Sequence, residues 1–371
     1  MFTFFQKKFN HLNKISILRS SLIYNFQTIQ NHNPQALVAP VLKSNAYGHG
    51  LKIVAPIFDK LHTPFICVDS LFEAWQLQNI GIQTPILILG FTLPENFKIK
   101  PIPFHVPLFD LSTAQILNKY QKNINVHLKI DTGMNRFGIK VNELNDFLIK
   151  LKKYSNIKIS GVYSHLSSAD EIDNSKNKQQ ISLLKKAFKI LTDHNIYPQW
   201  KHIAASAGSF YIKDPEFNLV RAGVACYGIS PIKQTNINLN PVLEFKSTIC
   251  QVKNIKKGET ISYNETFAAP QNMTIGIIGA GYYEGLDRRL SNKGFVTVDG
   301  VSCQILGRVC MNITIIDLSK VSNPYIGQEC IIYSRDSKQP NSIQNCANIC
   351  QTIPYDLLVK LNETVKREVV E

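Results

Sequence analysis

Between residues 36 and 228, the chain alternates eight short apolar runs with segments whose apolar residues recur at helical spacing. The eight runs are Ala36–Lys43, Phe65–Val68, Pro85–Leu89, Phe104–Leu108, Asn125–Asp131, Ile157–His165, Trp200–Ala205 and Leu219–Tyr227. The clearest helical segments between them are Ser70–Ile80, Ser112–Gln121, Glu143–Lys153 and Asn177–His194. Eight buried strands with intervening helices are typical of a (β/α)8 TIM-type barrel, and this is the fold that we predict.

The pattern changes after Pro231, where a second and mostly β domain is predicted. Its strand-like segments, rich in Ile, Val and Thr, are Val242–Tyr263, Met273–Gly281, Gly294–Leu318 and Glu329–Tyr333. No long helical pattern returns before the tail, Gln351–Val369. We therefore expect an α/β protein with a barrel domain over residues 1–235 and a C-terminal β domain over residues 236–371. The first fifteen or so residues, with the segment Lys14–Leu18, are candidates for pairing with the β domain.

Composition narrows the function classes. Hydrophobic residues make up 44% of the chain and charged residues 18%, which is typical of a globular protein, and no apolar run is long enough to predict a membrane span. The net charge is +14, but the lysines are scattered and form no dense basic block, so we expect no nucleic-acid partner. None of the eight cysteines forms a Cys-x-x-Cys pair, and we expect no metal site and reduced thiols in a cytoplasmic protein.

Polar residues follow the predicted strands where a barrel carries its active groups. Lys43 ends the first strand, directly after an apolar run, and a lysine in such a place loses its proton more easily than a solvated one and can form a Schiff base. The other candidates at strand ends are Asp131, Arg136, His165, Ser206 and Arg221. Five or more such groups at one face of a barrel indicate an active site rather than a set of unrelated surface charges.

The segment Lys43-Ser-Asn-Ala-Tyr47-Gly-His-Gly50 resembles the lysine motif by which alanine racemases bind pyridoxal 5'-phosphate (PLP). The resemblance continues in order over about residues 15 to 360. It implies that Lys43 carries PLP as an aldimine and that Arg221 faces the pyridine nitrogen. An arginine keeps its proton, so the nitrogen should stay unprotonated, which suits proton exchange at Cα and disfavours transamination.

The resemblance also implies the groups that surround the cofactor and the substrate. Those expected to bind the cofactor, most of them at its phosphate, are Tyr47, His165, Ser206, Gly223, Val224 and Tyr355. Arg136 would bind the substrate carboxylate. Lys129 matches a lysine that some members of the family carry as a carbamate able to orient Arg136. The alternative, an unmodified Lys129 paired with Asp131, stays open.

In the predicted β domain, three motifs resemble those of the same family. Ser262-Tyr263-Asn264 matches the motif whose tyrosine is the second base, and His165, coupled to Arg221, is the candidate neighbour for lowering the pKa of that tyrosine. Gly281-Tyr282-Tyr283-Glu284-Gly285 resembles Gly-Tyr-Ala-Asp-Gly, with Tyr282 narrowing the entrance. Gly307-Arg308-Val309-Cys310-Met311-Asn312 resembles Gly-Arg-Val-Cys-Met-Asp, with the Met311 N–H donating to the substrate carboxylate. By resemblance these residues reach the partner's active site, which implies a homodimer.

The chain departs from the family pattern at several places. Asn312 replaces an Asp and thereby removes a negative charge near the second base, Asn264 replaces a Gly, and the terminal Arg-Val-Pro-Arg is only loosely echoed by Val365-Lys-Arg367. None of these changes removes a proton-transfer or phosphate-binding group. The resemblance therefore implies an alanine racemase that interconverts L- and D-alanine by a two-base mechanism with Lys43 and Tyr263.

Such an enzyme supplies D-alanine for peptidoglycan in the cytoplasm. Other functions on a similar scaffold remain as alternatives. They are a racemase of serine or of several amino acids, a related decarboxylase, and a PLP-binding homeostasis protein. The decarboxylase lacks support because its Cys-x-x-x-Asp and Glu-Pro-Gly segments are not found in the β domain. The homeostasis protein would have the barrel alone.

Overall fold

The computed structural model describes residues 9–232 and 237–371. These residues divide into two compact units. The barrel unit comprises the described residues of Ser20–Ala46 and Leu51–Asn240, and the β unit comprises residues 9–19, Tyr47–Gly50 and Pro241–Glu371. The domain boundary predicted between residues 235 and 236 lies outside the described residues.

The barrel unit is a ring of eight parallel strands. In ring order they are Leu37–Pro40, Ile66–Val68, Ile86–Ile88, Val106–Leu108, Ile124–Asp131, Ile157–Tyr163, Trp200–His202 and Leu219–Ala222. Single parallel bridges complete the contacts between neighbours, at Val41 with Cys67, Leu87 with His105, and Ala205 with Arg221. Leu219–Ala222 pairs back onto Leu37–Pro40 and closes the ring. Seven of these strands lie within the predicted runs and Ile124–Asp131 begins one residue before its run, so the predicted fold is confirmed.

Three of the barrel helices, Leu71–Asn79, Leu111–Tyr120 and Ser175–Asp193, begin at side chains that cap them. The helices of the barrel unit are Arg19–His32, Leu51–Asp59, Leu71–Asn79, Leu111–Tyr120, Leu144–Leu151 and Ser175–Asp193. Ser70 and Glu73 form a reciprocal capping box at the start of Leu71–Asn79. The Asp110 side chain accepts from the Thr113 amide in the same way at the start of Leu111–Tyr120. These side chains bind backbone amides that a helix leaves unpaired, and so fix where each helix follows its strand.

The β unit is built on one eight-stranded sheet. Its strands, in spatial order, are Met273–Ile278, Thr314–Asp317, Val301–Leu306, Phe295–Val298, Glu329–Tyr333, Leu243–Ile255, Lys14–Leu18 and Lys366–Val370. The long strand Leu243–Ile255 also pairs with Met273–Ile278, which joins the sheet back on itself. Lys14–Leu18 lies antiparallel to Leu243–Ile255 and parallel to Lys366–Val370.

The tail is the part of the β unit where the expectation from sequence was wrong. The sequence predicts a helical pattern over Gln351–Val369. The structure has one short helix there, Pro354–Leu358, followed by the strand Lys366–Val370, and a second short helix, Ile343–Ile349, comes before the tail. The strand forms because Lys14–Leu18 offers a free edge to pair with, and such a long-range partner overrides local spacing. Among the described residues, no helix has both the length and the apolar character needed to cross a bilayer.

Candidate active site

Lys43 begins a left-handed turn at the carboxyl end of the strand Leu37–Pro40. The backbone φ angles in this turn are 56° at Ser44, 54° at Asn45 and 53° at Ala46, values that residues other than glycine rarely adopt. The turn is held from both sides, because the Asn45 side chain accepts from the Leu51 amide at 2.7 Å and the Asn45 amide donates to Glu73 at 3.3 Å. Strained backbone that its surroundings hold in place is typical of functional sites.

The amine of Lys43 has an acidic neighbour that sequence reasoning missed. Its Nζ lies 3.6 Å from Oδ1 of Asp69, which follows the next strand of the ring, Ile66–Val68. Both side chains remain partly exposed, so the pair is weak and can separate when a ligand arrives. The position of Asp69 directly after an apolar strand was the signal available in the sequence.

Arg221 is a buried cation, and every acceptor found for it among the described residues is neutral. Its guanidinium donates to the carbonyls of Ser164 at 2.9 Å and Ile203 at 3.2 Å, and to Nδ1 of His202. Only 3% of the residue is exposed, which excludes water as its main partner. Because no carboxylate of residues 9–232 or 237–371 pairs with it, the positive charge of Arg221 is available to a ligand in the barrel.

His165 lies beside Arg221, as the sequence analysis anticipated, but in a neutral form. Its Nδ1 is 3.3 Å from the Arg221 guanidinium, which can only donate, so Nδ1 accepts and the proton lies on Nε2. Burial first, and then Arg221, lower the pKa of His165 to about 3. The imidazole therefore offers an N–H donor and no positive charge, and the expectation that His165 lowers the pKa of Tyr263 stays a prediction.

The predicted phosphate-binding group is a compact turn after the last two strands of the barrel. Ser206 Oγ accepts from the amides of Gly223 at 2.9 Å and Ala225 at 3.3 Å. The hydroxyl hydrogen of Ser206 is then left to donate to an anion. The Gly223 amide donates to Ser206 in this structure, and the neighbouring Val224 is half-buried, so their binding of a phosphate stays a prediction.

Lys129 projects from the strand Ile124–Asp131 and is buried, with 7% exposed. Burial first, and then Arg136 and Arg221, lower the pKa of its amine to about 8. Its Nζ lies 5.3 Å from the ring centroid of Phe137 and 5.4 Å from that of Tyr163.

Asp131, the partner considered for Lys129, is engaged elsewhere. Its Oδ1 accepts the amides of Gly133, Met134 and Asn135 at 3.0–3.1 Å and shapes the loop that carries the exposed Arg136. Within the described residues no ion pair joins Lys129 to Asp131. The structure therefore gives no support to the unmodified, paired form of Lys129.

The two tyrosines expected at the phosphate belong to segments of the β unit that touch each other. Tyr47 starts the segment Tyr47–Gly50, and Tyr355 lies in the helix Pro354–Leu358. Gly48 has a φ of +80°, and a Cβ on it would lie 1.9 Å from the Leu358 carbonyl oxygen. Arg367 adds a bond from its Nε to the Gly48 carbonyl at 2.9 Å. The close approach of these two segments therefore depends on a glycine.

Tyr263 and the loop of Met311 lie on the surface of the β unit. Tyr263 is 69% exposed and Met311 55% exposed. Ser262, with a φ of +66°, anchors the turn before Tyr263, because its Oγ donates to the Arg308 carbonyl at 2.8 Å and lies 3.4 Å from Cys310 Sγ.

A second loop, which carries Tyr282, is bound to the Met311 loop through its backbone. The amide of Tyr282 donates to the Cys310 carbonyl at 3.0 Å, and that of Tyr283 donates to the Met311 carbonyl at 2.9 Å. The structure thus brings Tyr263, Tyr282, Cys310 and Met311 into one surface cluster.

Asn312 has a partner that explains its departure from the family pattern. Its Nδ2 donates to Oε1 of the buried Glu284 at 2.8 Å, and the other oxygen of Glu284 accepts from the Gly281 amide at 2.8 Å. Glu284 itself stands where the family motif has an Asp. An Asp at 312 would place a second carboxylate against Glu284, whereas the amide of Asn312 donates a hydrogen bond to it.

The residues of the barrel unit fit PLP by their chemistry. A cofactor with an aldehyde, a ring nitrogen and a phosphate needs an amine, a donor and an anion-binding turn. Lys43, Arg221 and Ser206 supply these three groups from strands of the same ring. The decisive observation is Arg221, because a buried guanidinium with only neutral acceptors can accommodate the electron-rich side of a ligand.

Two family models match the chain. The alanine racemase N-terminal domain matches residues 17–231, and the alanine racemase C-terminal domain matches residues 242–369. The chain belongs to the alanine racemase family. The predicted resemblance is therefore confirmed, together with the enzyme class, a racemase, and the PLP cofactor of that family.

Relatives and solved structures agree with this assignment. The chain is 32% identical to an alanine racemase of Carboxydothermus hydrogenoformans over 93% of this chain and 95% of the relative. It is 32% identical to that of Staphylococcus carnosus over 97% and 95%. An alanine racemase of Clostridium difficile 630 superposes with a TM-score of 0.92 at 28% identity, covering 98% of this chain and 97% of that one. That of Bacillus anthracis, with bound L-Ala-P, has a TM-score of 0.91 at 27% identity, covering 98% and 96%.

Proposed function

We propose that this protein interconverts L-alanine and D-alanine and thereby supplies D-alanine for peptidoglycan in the cytoplasm. The observation that carries the proposal is the combination, in one barrel, of an amine on a strained turn, Lys43, with a buried cation that has only neutral acceptors, Arg221. The names of the relatives supply the substrate class. A C-terminal domain that matches the family over residues 242–369 argues against a homeostasis protein with the barrel alone.

In this proposal the barrel residues hold the cofactor, with Lys43 at its aldehyde, Arg221 at its ring nitrogen, and Ser206 with the Gly223–Val224 turn at its phosphate. Tyr47 and Tyr355 add their hydroxyls at the phosphate, and His165 orients Arg221. PLP, when bound, supplies an electron sink that makes the Cα proton of an amino acid acidic. Arg221 keeps its own proton, so it tempers that sink and favours return of a proton to Cα.

Substrate binding and proton transfer are assigned to five residues. Arg136 binds the substrate carboxylate, the Met311 amide adds a second donor, and Lys129 sets the charge around Arg136. The Nζ of Lys43 exchanges the proton on one face of Cα, and the Oη of Tyr263 exchanges it on the other. Two groups on opposite faces suit racemisation, because the reaction removes a proton from one side of Cα and returns one to the other.

We further propose a homodimer in which Tyr263 and Met311 of one chain complete the site of its partner. The support is that these residues are 69% and 55% exposed in the single chain although they belong to the family's site motifs. Tyr282 and Cys310 would line the same shared entrance, and Asn312 would support it through Glu284. We also propose that the barrel domain covers residues 1–235 and the C-terminal β domain residues 236–371.

Deuterium exchange tests the reaction. Pure protein loaded with PLP and given L-alanine in deuterated water should incorporate deuterium at Cα while the optical rotation decays to zero. L-serine in a parallel reaction distinguishes a serine or broad-specificity racemase. Borohydride reduction followed by peptide mapping should find the pyridoxyl group on Lys43, and label on another lysine would overturn that assignment.

Subunit mixing tests the shared site. Lys43→Ala and Tyr263→Phe homodimers should each be inactive as racemases, because every site lacks one base. A heterodimer of the two contains one site with both bases, so mixing should restore activity once subunit exchange has been verified. A mixed population that stays as inactive as its parents excludes the shared site.

A further inference from the structure

Three histidines in the barrel core lie end to end and have no role in the mechanism above. His202 Nε2 is 2.9 Å from His127 Nδ1, and His127 Nε2 is 3.1 Å from His105 Nδ1. His127 and His202 are completely buried. At one end of the three, Arg221 donates a hydrogen bond to Nδ1 of His202. We call His105, His127 and His202 the histidine row.

The geometry allows only one direction of hydrogen bonding along the histidine row. Arg221 can only donate, so His202 Nδ1 accepts and its proton lies on Nε2. That proton is donated to His127 Nδ1, so the His127 proton also lies on Nε2 and is donated to His105 Nδ1. Ser160, whose Oγ is 3.2 Å from His105 Nδ1, directs its own hydrogen to the Val126 carbonyl, also at 3.2 Å. All three imidazoles are thereby fixed in the same tautomer.

The neighbouring strand is shaped to make room for His127. A Cβ on Gly161 would lie 2.3 Å from His127 Nδ1, a distance that no side chain can accept. The pairing between the strands Ile124–Asp131 and Ile157–Tyr163 also shifts register between Val126 and His127. Phe65 packs edge-on against the rings of His105 and His127, at 4.8 and 5.6 Å between centroids. A glycine, a register shift and an aromatic wall thus surround one imidazole.

We propose that His127 is a positioning residue of the racemase. By accepting from His202 Nε2 it locks His202 as a neutral acceptor for Arg221, and so fixes the guanidinium without cancelling its charge. The proposal rests on the proposed function only for the statement that Arg221 faces the cofactor. The row itself is a property of the barrel unit alone.

The charge around the row agrees with this role. Burial lowers the pKa of His105 to about 4 and those of His127 and His202 well below the ordinary value. The charged groups that act on the row are Lys158 near His105 and Arg221 near His127 and His202, and both oppose a proton on the imidazoles. A carboxylate in place of His202 would pair with Arg221 and neutralise it, whereas a neutral imidazole dipole holds it and leaves the charge for the ligand.

Nitrogen NMR of the apoprotein tests the direction of the row without any catalytic readout. In protein labelled with ¹⁵N-histidine, the three rings should remain neutral, with the proton on Nε2, from about pH 5 to pH 8, whereas exposed histidines titrate in that range. Signals are assigned with single substitutions. His127 in the Nδ1–H form, or a row histidine that titrates near its ordinary pKa, overturns the proposal.

Two variants disturb His127 by different routes, and a third is a matched packing control. His127→Phe keeps a ring but removes the acceptor for His202, and Gly161→Ala pushes the ring from its place. Both should shift the His202 ¹⁵N signals in the apoprotein and lower kcat of the holoenzyme by about tenfold, with KM for alanine within about twofold, because a buried donor loses its acceptor. Phe65→Leu changes packing on the same two rings without a hydrogen bond and should do neither.

A conservative variant keeps the test valid if His127→Phe fails to fold. His127→Gln retains an acceptor for His202 and should leave the His202 signals and kcat closer to those of the parent than Gly161→Ala does. Unchanged His202 signals in Gly161→Ala, or an unchanged kcat, or an equal effect of Phe65→Leu, overturns the positioning role. A parent protein that exchanges no Cα proton but shows the predicted tautomers overturns the proposed function and leaves the row intact.

Discussion

Replacing Lys129 with methionine should stabilise the protein, although lysine is the residue that the family motif carries. A buried amine whose pKa falls from 10.5 to about 8 costs about 3 kcal/mol of folding free energy in its charged form. The two aromatic rings near Nζ return about 1–2 kcal/mol through cation–π attraction. Methionine keeps the apolar part of the side chain but has neither the buried charge nor the cation–π attraction. Lys129→Met should therefore raise the free energy of unfolding by about 1–2 kcal/mol at pH 7.

The pH dependence of that gain follows from the direction of the shift. Because the pKa is lower in the folded state, the unfolded chain binds more protons between about pH 8 and pH 10.5. The cost of Lys129 is therefore complete below pH 8, declines as the pH rises through this window, and is absent above it. The advantage of Lys129→Met should be largest at pH 7 and should nearly vanish by about pH 11.

Urea unfolding of the apoprotein in CO2-free buffer, at one fixed protein concentration, measures both predictions. Adding bicarbonate then separates the two forms considered for Lys129. A neutral amine reacts with CO2 to give a carbamate, whose negative charge Arg136 would favour, so bicarbonate should stabilise the parent and not Lys129→Met. A gain that is the same at pH 7 and pH 11, or a variant that is less stable than the parent at both, would refute the reasoning about Lys129.

Three other substitutions test separate parts of the site. Tyr263→Phe should slow Cα deuterium exchange from L-alanine far more than from D-alanine in single turnovers, and unchanged exchange from L-alanine contradicts its role as a base. Gly48→Ala should lower the free energy of unfolding, measured in urea, by more than about 2 kcal/mol. The control Gly81→Ala, with a similar φ and open space around it, should lower it by only about 1 kcal/mol. Equal losses in the two variants would exclude the contact with Leu358. Arg367→Lys should lower the free energy of unfolding by about 2 kcal/mol, because the Arg367 guanidinium donates to four carbonyls at 2.9–3.0 Å. An unchanged urea midpoint would show that those bonds contribute nothing to stability.

The candidate site shows how far sequence reasoning reached. Lys43, Arg221 and Ser206 were placed at strand ends, and in the structure they do follow or end strands of one ring. Their partners were missed, namely Asp69 beside Lys43 and the imidazole of His202 against Arg221. A strand end can be recognised from its own neighbours in sequence, whereas a contact across the barrel depends on which strands become adjacent.

The same limit explains the expectation that the structure changed and the burial that local sequence did not show. The tail Gln351–Val369 has helical spacing, but its last part pairs with Lys14–Leu18, more than 300 residues earlier in the chain. The sequence also did not show the depth of burial beside Arg221 that lowers the pKa of the His165 imidazole to about 3. Neither a distant strand edge nor the depth of burial is encoded in a local window of sequence.

The sequence by itself determined the eightfold alternation of strands and helices, the place of Lys43 after the first strand, and the family. These features are local, because periodicity, capping residues and motif spacing act over a few residues. Only the tertiary structure decided that Asn312 pairs with Glu284, that Arg221 meets only neutral acceptors, and that Gly161 leaves space for His127. The physical reason is that hydrogen bonds and burial join residues far apart in the chain, as with His127 and His202, which are 75 positions apart.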